Sequence, residues 1–385
     1  MTPIVEITVD GKTVSDVFYS RLISVTVTDK EGTRSDTIDL KLDDSNPFAE
    51  IPRRGALISV AMGYAETGVQ SLGEFVVDEV EIACFPFSLS IQGKAADMRE
   101  TLKEHKNRHW DKKTVKDIVS EIAGDHGLAP AVSDAVGAHT YEWFGQVDES
   151  DMSVLDRLAG RHDALFTVKD GKLIFAEKGA GKSASGKTVG GFVLTPDRIV
   201  EATCKVSISD RGSFGKVVGY YQDKDDAERK EIEVESDVSD SPAVYRLREA
   251  FSSEEEAHKA ARSKSRNLSR GSITTAVTVV GDTSIRAGGG FSYADVRPGV
   301  DGIPWVIETA EHSFSKTEGY KTAIQAKVKA GDSEKSAKDA DKTNGTERAA
   351  KEKADAAAGG GSSGSGGSSP PPDLGGNVIS GDGPE

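Results

Sequence analysis

Between Ile23 and Asp44 the chain reads ISVTVTDKEGTRSDTIDLKLDD, with its apolar residues on alternate positions. Ile23, Val25 and Val27 share one face, Ile38, Leu40 and Leu42 share one face, and Lys30-Glu31-Gly32 supplies a turn between them. A period of two is the signature of a strand, so this stretch is expected to form a half-buried antiparallel hairpin. The same period continues in ALISVAMGY (56–64), GEFVVDEVEIA (73–83) and FSLSIQGKA (87–95). Closure into a small barrel or sandwich is expected, because an open sheet leaves edges free to pair.

Near residue 97 the period changes to a helical one. KKTVKDIVSEIAGDHG places Val115, Ile118, Val119, Ile122 and Ala123 on one stripe, with Asp111 as the expected N-cap and Gly127 as the stop. A second stripe of Val154, Leu155, Leu158 and Ala159 opens at Ser150 or Asp151, and LFTVKDGKLIFAE then makes a hairpin turning at Asp170-Gly171. Residues 97–190 are therefore expected to be an inserted α+β unit between a first β domain, 1–96, and a second, 191–332. Strand periods return there in IVEATCKVSIS, GKVVGYYQ, KEIEVES, ITTAVTVVGD, FSYADV, IPWVIETAEHSF and YKTAIQAKVKA. One helix, 252–268, interrupts them, opened by Ser252 with Glu255 or Ser253 with Glu256. The two β regions share a weak repeat. Phe75, Val77, Val80 and Glu81 match Trp305, Ile307, Ala310 and Glu311, and each stretch is followed by a similar strand. Residues 333–385 lack an apolar stripe and run through a Gly/Ser/Pro-rich linker, which reads as a disordered tail. Leu374, Val378 and Ile379 near its end form a candidate partner-binding peptide.

With 48 Lys and Arg against 63 Asp and Glu, the net charge is −15, so the surface should repel nucleic acid and anionic membrane. No apolar run approaches the roughly 18 residues of a membrane span, and the start MTPIVEITVDGK lacks the regions of a signal peptide. A soluble cytoplasmic product is expected. Cys84 and Cys204 sit in strand-like surroundings far apart in sequence and are expected to be buried and reduced.

One motif suggests chemistry. Gly181 to Thr188, GKSASGKT, satisfies the phosphate-loop pattern at every position. Such a loop needs a helix straight after it, whose N–H groups hold the phosphates. VGGFVLTP follows instead, with two glycines, β-branched residues and Pro196, and the incoming strand is the return arm of a hairpin. FVVDE, the nearest approach to a partner acidic strand, precedes the loop by about 100 residues in the wrong chain order. No nucleotide site is expected there. His105 and His109 stand four apart without a third ligand and read as surface-loop residues. His162 continues an apolar stripe and reads as a satisfied, partly buried histidine. Asp148, Glu149 and Asp151 look like a carboxylate cluster, yet acids at a helix start serve capping and the dipole. No catalytic, cofactor-binding or metal-ligating residue is assigned.

Taken together, SRLISVTVTDKEGTRSDTIDLKLDD, GEFVVDEVE, DESDMSVLDRLAGRHDALFTVKDGKLIFAEKG and WVIETAEHSFSKTEGYKTAIQAKV resemble the late control D proteins of contractile-tail phages. These are baseplate hub proteins similar to the VgrG-type hubs of injection systems, and the likeness spans roughly residues 15 to 330. It implies a mainly β fold with two similar small antiparallel tube-type barrels and a projecting α+β insertion. It also implies a homotrimer that adapts a sixfold tail tube to a threefold central spike in the virion tail baseplate, or in a tail-like particle, assembled in the host bacterial cytoplasm. Its implied partners are other copies of itself, the spike, the tube or tape-measure protein and other baseplate proteins. DNA would pass the lumen only transiently, and an acidic lumen would keep it from sticking. The resemblance implies no enzyme activity and no cofactor. The alternative is an injection-system or tail-tip protein with cell-wall hydrolase activity.

Overall fold

The computed structural model describes residues 1–32, 35–95, 100–169, 171–179, 191–209, 214–223, 228–236 and 241–329. The first stretch consists of β1 (Pro3–Val9), β2 (Lys12–Thr13), α1 (Asp16–Arg21), β3 (Leu22–Lys30), β4 (Thr37–Asp43), β5 (Leu57–Tyr64), β6 (Gly68–Cys84) and β7 (Phe87–Ala95). Its strands order as β3-β4-β7-β6-β5-β1, all antiparallel, around a core that includes Ile7, Val25, Val27, Leu40, Ile58, Met62, Phe75 and Ile91. The hairpin read from the sequence is β3–β4, with one difference. A bulge shifts the register between Leu22 and Ser24, so Leu22 turns inward and Ile23 is exposed. The extra residue breaks the period of two at that point.

The middle stretch runs through β8 (His105–Thr114), α2 (Val115–Asp125), β9 (Ala129–Val132), α3 (Asp134–Gly137), β10 (Thr140–Ser150), α4 (Asp151–His162), β11 (Ala164–Lys169) and β12 (Lys172–Glu177). The two apolar stripes of α2 and α4 meet in one core with Trp110, Tyr141, Phe144, Phe166 and Phe175. Two short sheets flank them, β10-β8 and β11-β12-β9. Thr114, not Asp111, caps α2: its hydroxyl accepts from the Asp117 N–H while the Asp117 carboxylate accepts from the Thr114 N–H. Asp111 is unavailable because the β8–β10 ladder continues to Thr114. Ser150 caps α4 by accepting from the Ser153 N–H.

The last described stretch holds β13 (Gly191–Leu194), β14 (Lys205–Ile208), β15 (Lys216–Gln222), β16 (Arg229–Glu235), β17 (Val244–Phe251), α5 (Glu254–Arg270), β18 (Ile273–Val280), β19 (Gly290–Tyr293), β20 (Trp305–Ser315) and β21 (Gly319–Val328). Ser253 caps α5 through the Glu256 N–H, deciding between the two sequence alternatives. β14-β18-β21-β20 continue into β3, so both β regions share one 13-stranded sheet. The core here includes Val277, Phe291, Tyr293, Trp305, Ile307 and Ile324. The pairing is not wholly antiparallel: β13–β19, β15–β17 and β9–β12 are parallel. β15, β16 and β17 stand apart as their own sheet under α5. α5 also packs on α4, where the Ser263 hydroxyl donates to the Gly160 carbonyl at 2.7 Å. No described helix is long and apolar enough to cross a membrane.

Candidate functional site

The repeat seen in the sequence is a repeat of register. On β6 and β7, Phe75 faces Ala95 and Val77 faces Gly93; the ladder then skips one residue, and Glu79, Val80 and Glu81 face Gln92, Ile91 and Ser90. On β20 and β21, Trp305 faces Val328 and Ile307 faces Ala326; the ladder skips one residue, and Thr309, Ala310 and Glu311 face Gln325, Ile324 and Ala323. The bulge occupies the same place in both hairpins, and each skipped residue is an acid paired to a lysine of the partner strand: Asp78 with Lys94, Glu308 with Lys327. Four matched residues in two short strands can arise by chance. A shared bulge with its ion pair and a shared register around it are far more restrictive, because a bulge re-aims every later side chain.

The equivalence extends outward. Thr37 of β4 faces Lys94 and Thr274 of β18 faces Lys327, so β4 and β18 hold the same place. Val27 faces Ile38 of β4, and Val206 faces Thr275 of β18, so β14 is the counterpart of β3. The inward residues agree: Val25 and Val27 enter the first core, and Cys204 and Val206 pack against the second. Within the chain, the β20 end of the second unit joins the β3 edge of the first, with Phe314 facing Val25, His312 facing Val27 and Ala310 facing Asp29.

This internal junction buries polar groups. Asp29 accepts from Lys169 Nζ at 2.7 Å and from the Ala287 N–H at 3.0 Å, fastening the β11 hairpin and the 282–289 loop to the seam. Asp36 sits 3.2 Å from the same ammonium. Burial would lower the Lys169 ammonium, but the two carboxylates hold it above its ordinary value. His312 is fully buried; its Nε2–H donates to the Ile285 carbonyl at 3.0 Å, leaving Nδ1 to accept from the Tyr320 hydroxyl at 3.0 Å. Burial pushes its imidazole down to about 4.

A second polar cluster lies in the middle stretch. Asp151 is wholly buried and accepts from Arg108 Nη2 at 2.6 Å, Lys106 Nζ at 2.7 Å, Gln146 Nε2 at 2.9 Å and His126 Nε2 at 2.8 Å. Burial would raise this carboxyl, yet the Lys106, His126 and Gln146 hydrogen bonds and the Arg108 charge bring it down to about 2. Thr101 Oγ1 meets His126 Nδ1 at 2.8 Å, which completes a hydroxyl, imidazole and carboxylate in a row. Such a row is the skeleton of a nucleophile site. Here the carboxylate is shared among Lys106, Arg108 and Gln146 as well as His126, so it is not reserved for orienting the imidazole. The cluster works as a clamp joining β8, α2, β10 and α4.

Helix initiation therefore describes only part of the carboxylate group seen in the sequence. Asp148, at φ 46°, meets His105 at 3.3 Å; Glu149 meets Arg157 at 2.7 Å; Asp151 turns inward. The three acids serve three different partners and do not converge. His105 and His109 lie on strand β8, not in a loop, and are exposed beside Asp148 and Asp111. Among the described residues no group of three acids, histidines or cysteines could hold a metal ion. His162 is half-buried as expected, with Nε2 2.8 Å from the Tyr141 hydroxyl, and burial depresses it to about 3. Cys84 and Cys204 are free thiols, but Cys84 is exposed because its end of β6 runs past the core. GKSASGKT and the candidate peptide Leu374, Val378 and Ile379 lie outside the described residues. The first described element after the phosphate-loop pattern is β13, a strand.

The family model for the phage tail baseplate hub (GPD) matches residues 53–318. The chain belongs to that family. A probable baseplate hub protein of Escherichia phage 186 is 28% identical, covering 89% of this chain and 97% of its own length. The fold is shared with the 43 kDa tail protein of prophage MuSo2 from Shewanella oneidensis, at TM-score 0.62 and 17% identity over 84% of this chain and 98% of that one. A component of the Escherichia coli type VI secretion system superposes at TM-score 0.51 and 12% identity, over 84% of this chain and 77% of the other. The chain is a baseplate hub component of a phage tail or tail-like particle, with a mainly β fold common to injection-system proteins.

Proposed function

We propose that the chain acts as a non-enzymatic homotrimeric hub, adapting a sixfold tail tube to a threefold central spike. The carrying observation is the duplicated hairpin with its shared bulge and register. A chain that presents one design twice offers six similar units when three copies surround an axis, which matches the symmetry on both sides of such an adapter. In this reading segments 1–96 and 191–332 supply the ring units and 97–190 projects from them. The tube or tape-measure protein meets one face, the spike meets the other, and DNA crosses the lumen in transit.

The test is the native mass of the full chain, alone and mixed with its neighbouring spike protein. Three times the 40.8 kDa chain mass is expected, with one spike trimer added per hub trimer. A mass of one chain under both conditions rejects the reading. The row of Thr101, His126 and Asp151 is the one observation that favours the alternative, a cell-wall hydrolase. A zymogram is expected to stay blank at the mass of the chain, and a clearing band there would favour that alternative.

A further inference from the structure

The last turn of α4, the start of β10 and one face of α5 enclose a cleft of about 510 Å³. Lys259, Arg262 and Arg266 stand at i, i+3 and i+7 on α5, a spacing that lines them along one side of the helix over about 10 Å. Arg161 faces them from α4, its guanidinium 5.7 Å from the centre of the Phe144 ring and 5.3 Å from that of Phe251. Of the three carboxylates in the walls, Asp163 is taken by Arg270 outside the cleft and Glu255 by Lys259 at 2.7 Å, which leaves Glu177. Among the described residues Arg262 has no ion pair. On a chain of net charge −15, this cleft is a local reversal of sign.

The walls also hold donors without acceptors. The His139 side chain is nine-tenths buried; its Nδ1 accepts from the Lys259 ammonium at 2.7 Å, so Nε2 carries the ring proton, and no acceptor meets it. The Arg161 Nε–H has none either. Buried donors are normally matched, and here the chain supplies no partner. Burial pushes the adjoining His162 imidazole down to about 3, and His139, Lys259 and Arg161 push the same way. We propose that this cleft binds an acidic peptide segment of another baseplate protein, with carboxylates docked on Arg262, Arg266 and Arg161. Planar guanidinium forks match carboxylates in pairs of hydrogen bonds. The volume is that of an organic ligand and exceeds what one small anion needs. An extended peptide of four residues covers the same length as the cation row, about 10 Å. A nucleic-acid strand is disfavoured, because its dense phosphate charge is repelled by the acidic chain as a whole, whereas a short peptide brings only a few charges. The site lies within one chain and stands without the trimeric reading.

The test is a fluorescence-anisotropy titration of fluorescein-labelled hexaglutamate with the full-length protein at low salt. Saturable binding that weakens as salt rises is expected. Arg262→Glu with Arg266→Glu should weaken it roughly tenfold or more, and Arg262→Gln alone should weaken it less. Both arginines are exposed, so the melting temperature should hold; if the double variant unfolds, Arg262→Gln carries the comparison. Lys12→Glu with Lys41→Glu, two exposed cations of the first stretch, is the control and should leave the affinity within about twofold. No binding of hexaglutamate, or equal losses in the control and the double variant, overturns the site. Displacement of the probe by inorganic phosphate at matched charge, or by a single-stranded oligonucleotide at lower concentration than unlabelled hexaglutamate, makes the occupant a phosphate and overturns the peptide. A native mass that falls in the double variant makes the occupant a second copy of this chain and overturns the separate partner.

Discussion

Asp151→Asn is expected to lower the stability of the middle stretch by about 3 kcal/mol, at the lower end of what breaking a buried ion pair costs. The substitution keeps the shape but removes the charge, leaving Arg108 and Lys106 facing a neutral amide. Arg108 retains Asp125 at 2.6 Å, and both cations reach solvent at about a quarter of their surface, which limits the loss. The measurement is urea unfolding followed by tryptophan fluorescence, since Trp110 and Trp143 both lie in this stretch. Arg108→Met alone should cost less, and the double variant should recover part of the sum, because removing both partners strands no buried charge. A loss below about 1 kcal/mol for Asp151→Asn would mean that the clamp is not what joins β8, α2, β10 and α4.

What made these groups hard to read from sequence is range. Alternation and helical stripes are local signals, and they located the β3–β4 hairpin, α2, α4 and α5 to within a few residues. They failed where one residue changes the phase, as at the Leu22–Ser24 bulge that exposes Ile23. The α2 cap was misplaced because β8 runs without a break into Thr114, so no polar gap marks the boundary. Asp151 looked like a helix-start acid, and its burial depends on Lys106, Arg108, His126 and Gln146 arriving from three other elements. The repeat is visible in the sequence as four matched pairs, three apolar and one acidic, yet its meaning lies in the bulge at Asp78 and Glu308, which only the strand pairing reveals. The phosphate-loop pattern shows the converse: a perfect local match whose context, ending in strand β13, contradicts it.

Lowering the pH from 7 to 5 is expected to destabilise the fold by about 2 kcal/mol through His312 alone. The imidazole has an ordinary value of 6.5 and is held at about 4 in the folded state by burial. Between those values the unfolded chain binds the proton and the folded chain does not, so stability rises with pH and falls as pH drops through that window. The full contribution, about 3 kcal/mol, is lost only near and below pH 4. Neighbouring Arg286 works against protonation, while Asp29 and Asp282 favour it. His162, depressed to about 3, adds to the same slope, so the contribution of His312 is isolated by comparison with His312→Gln. That side chain can still donate to the Ile285 carbonyl but does not titrate, and its melting temperature should fall measurably less between pH 7 and 5. Equal slopes for the two proteins would show that the proton is taken up elsewhere. The place of His312 in the repeat is held by Ile82, which has no proton to gain. Acid should therefore loosen the junction inside the chain, where His312 and Asp29 are buried.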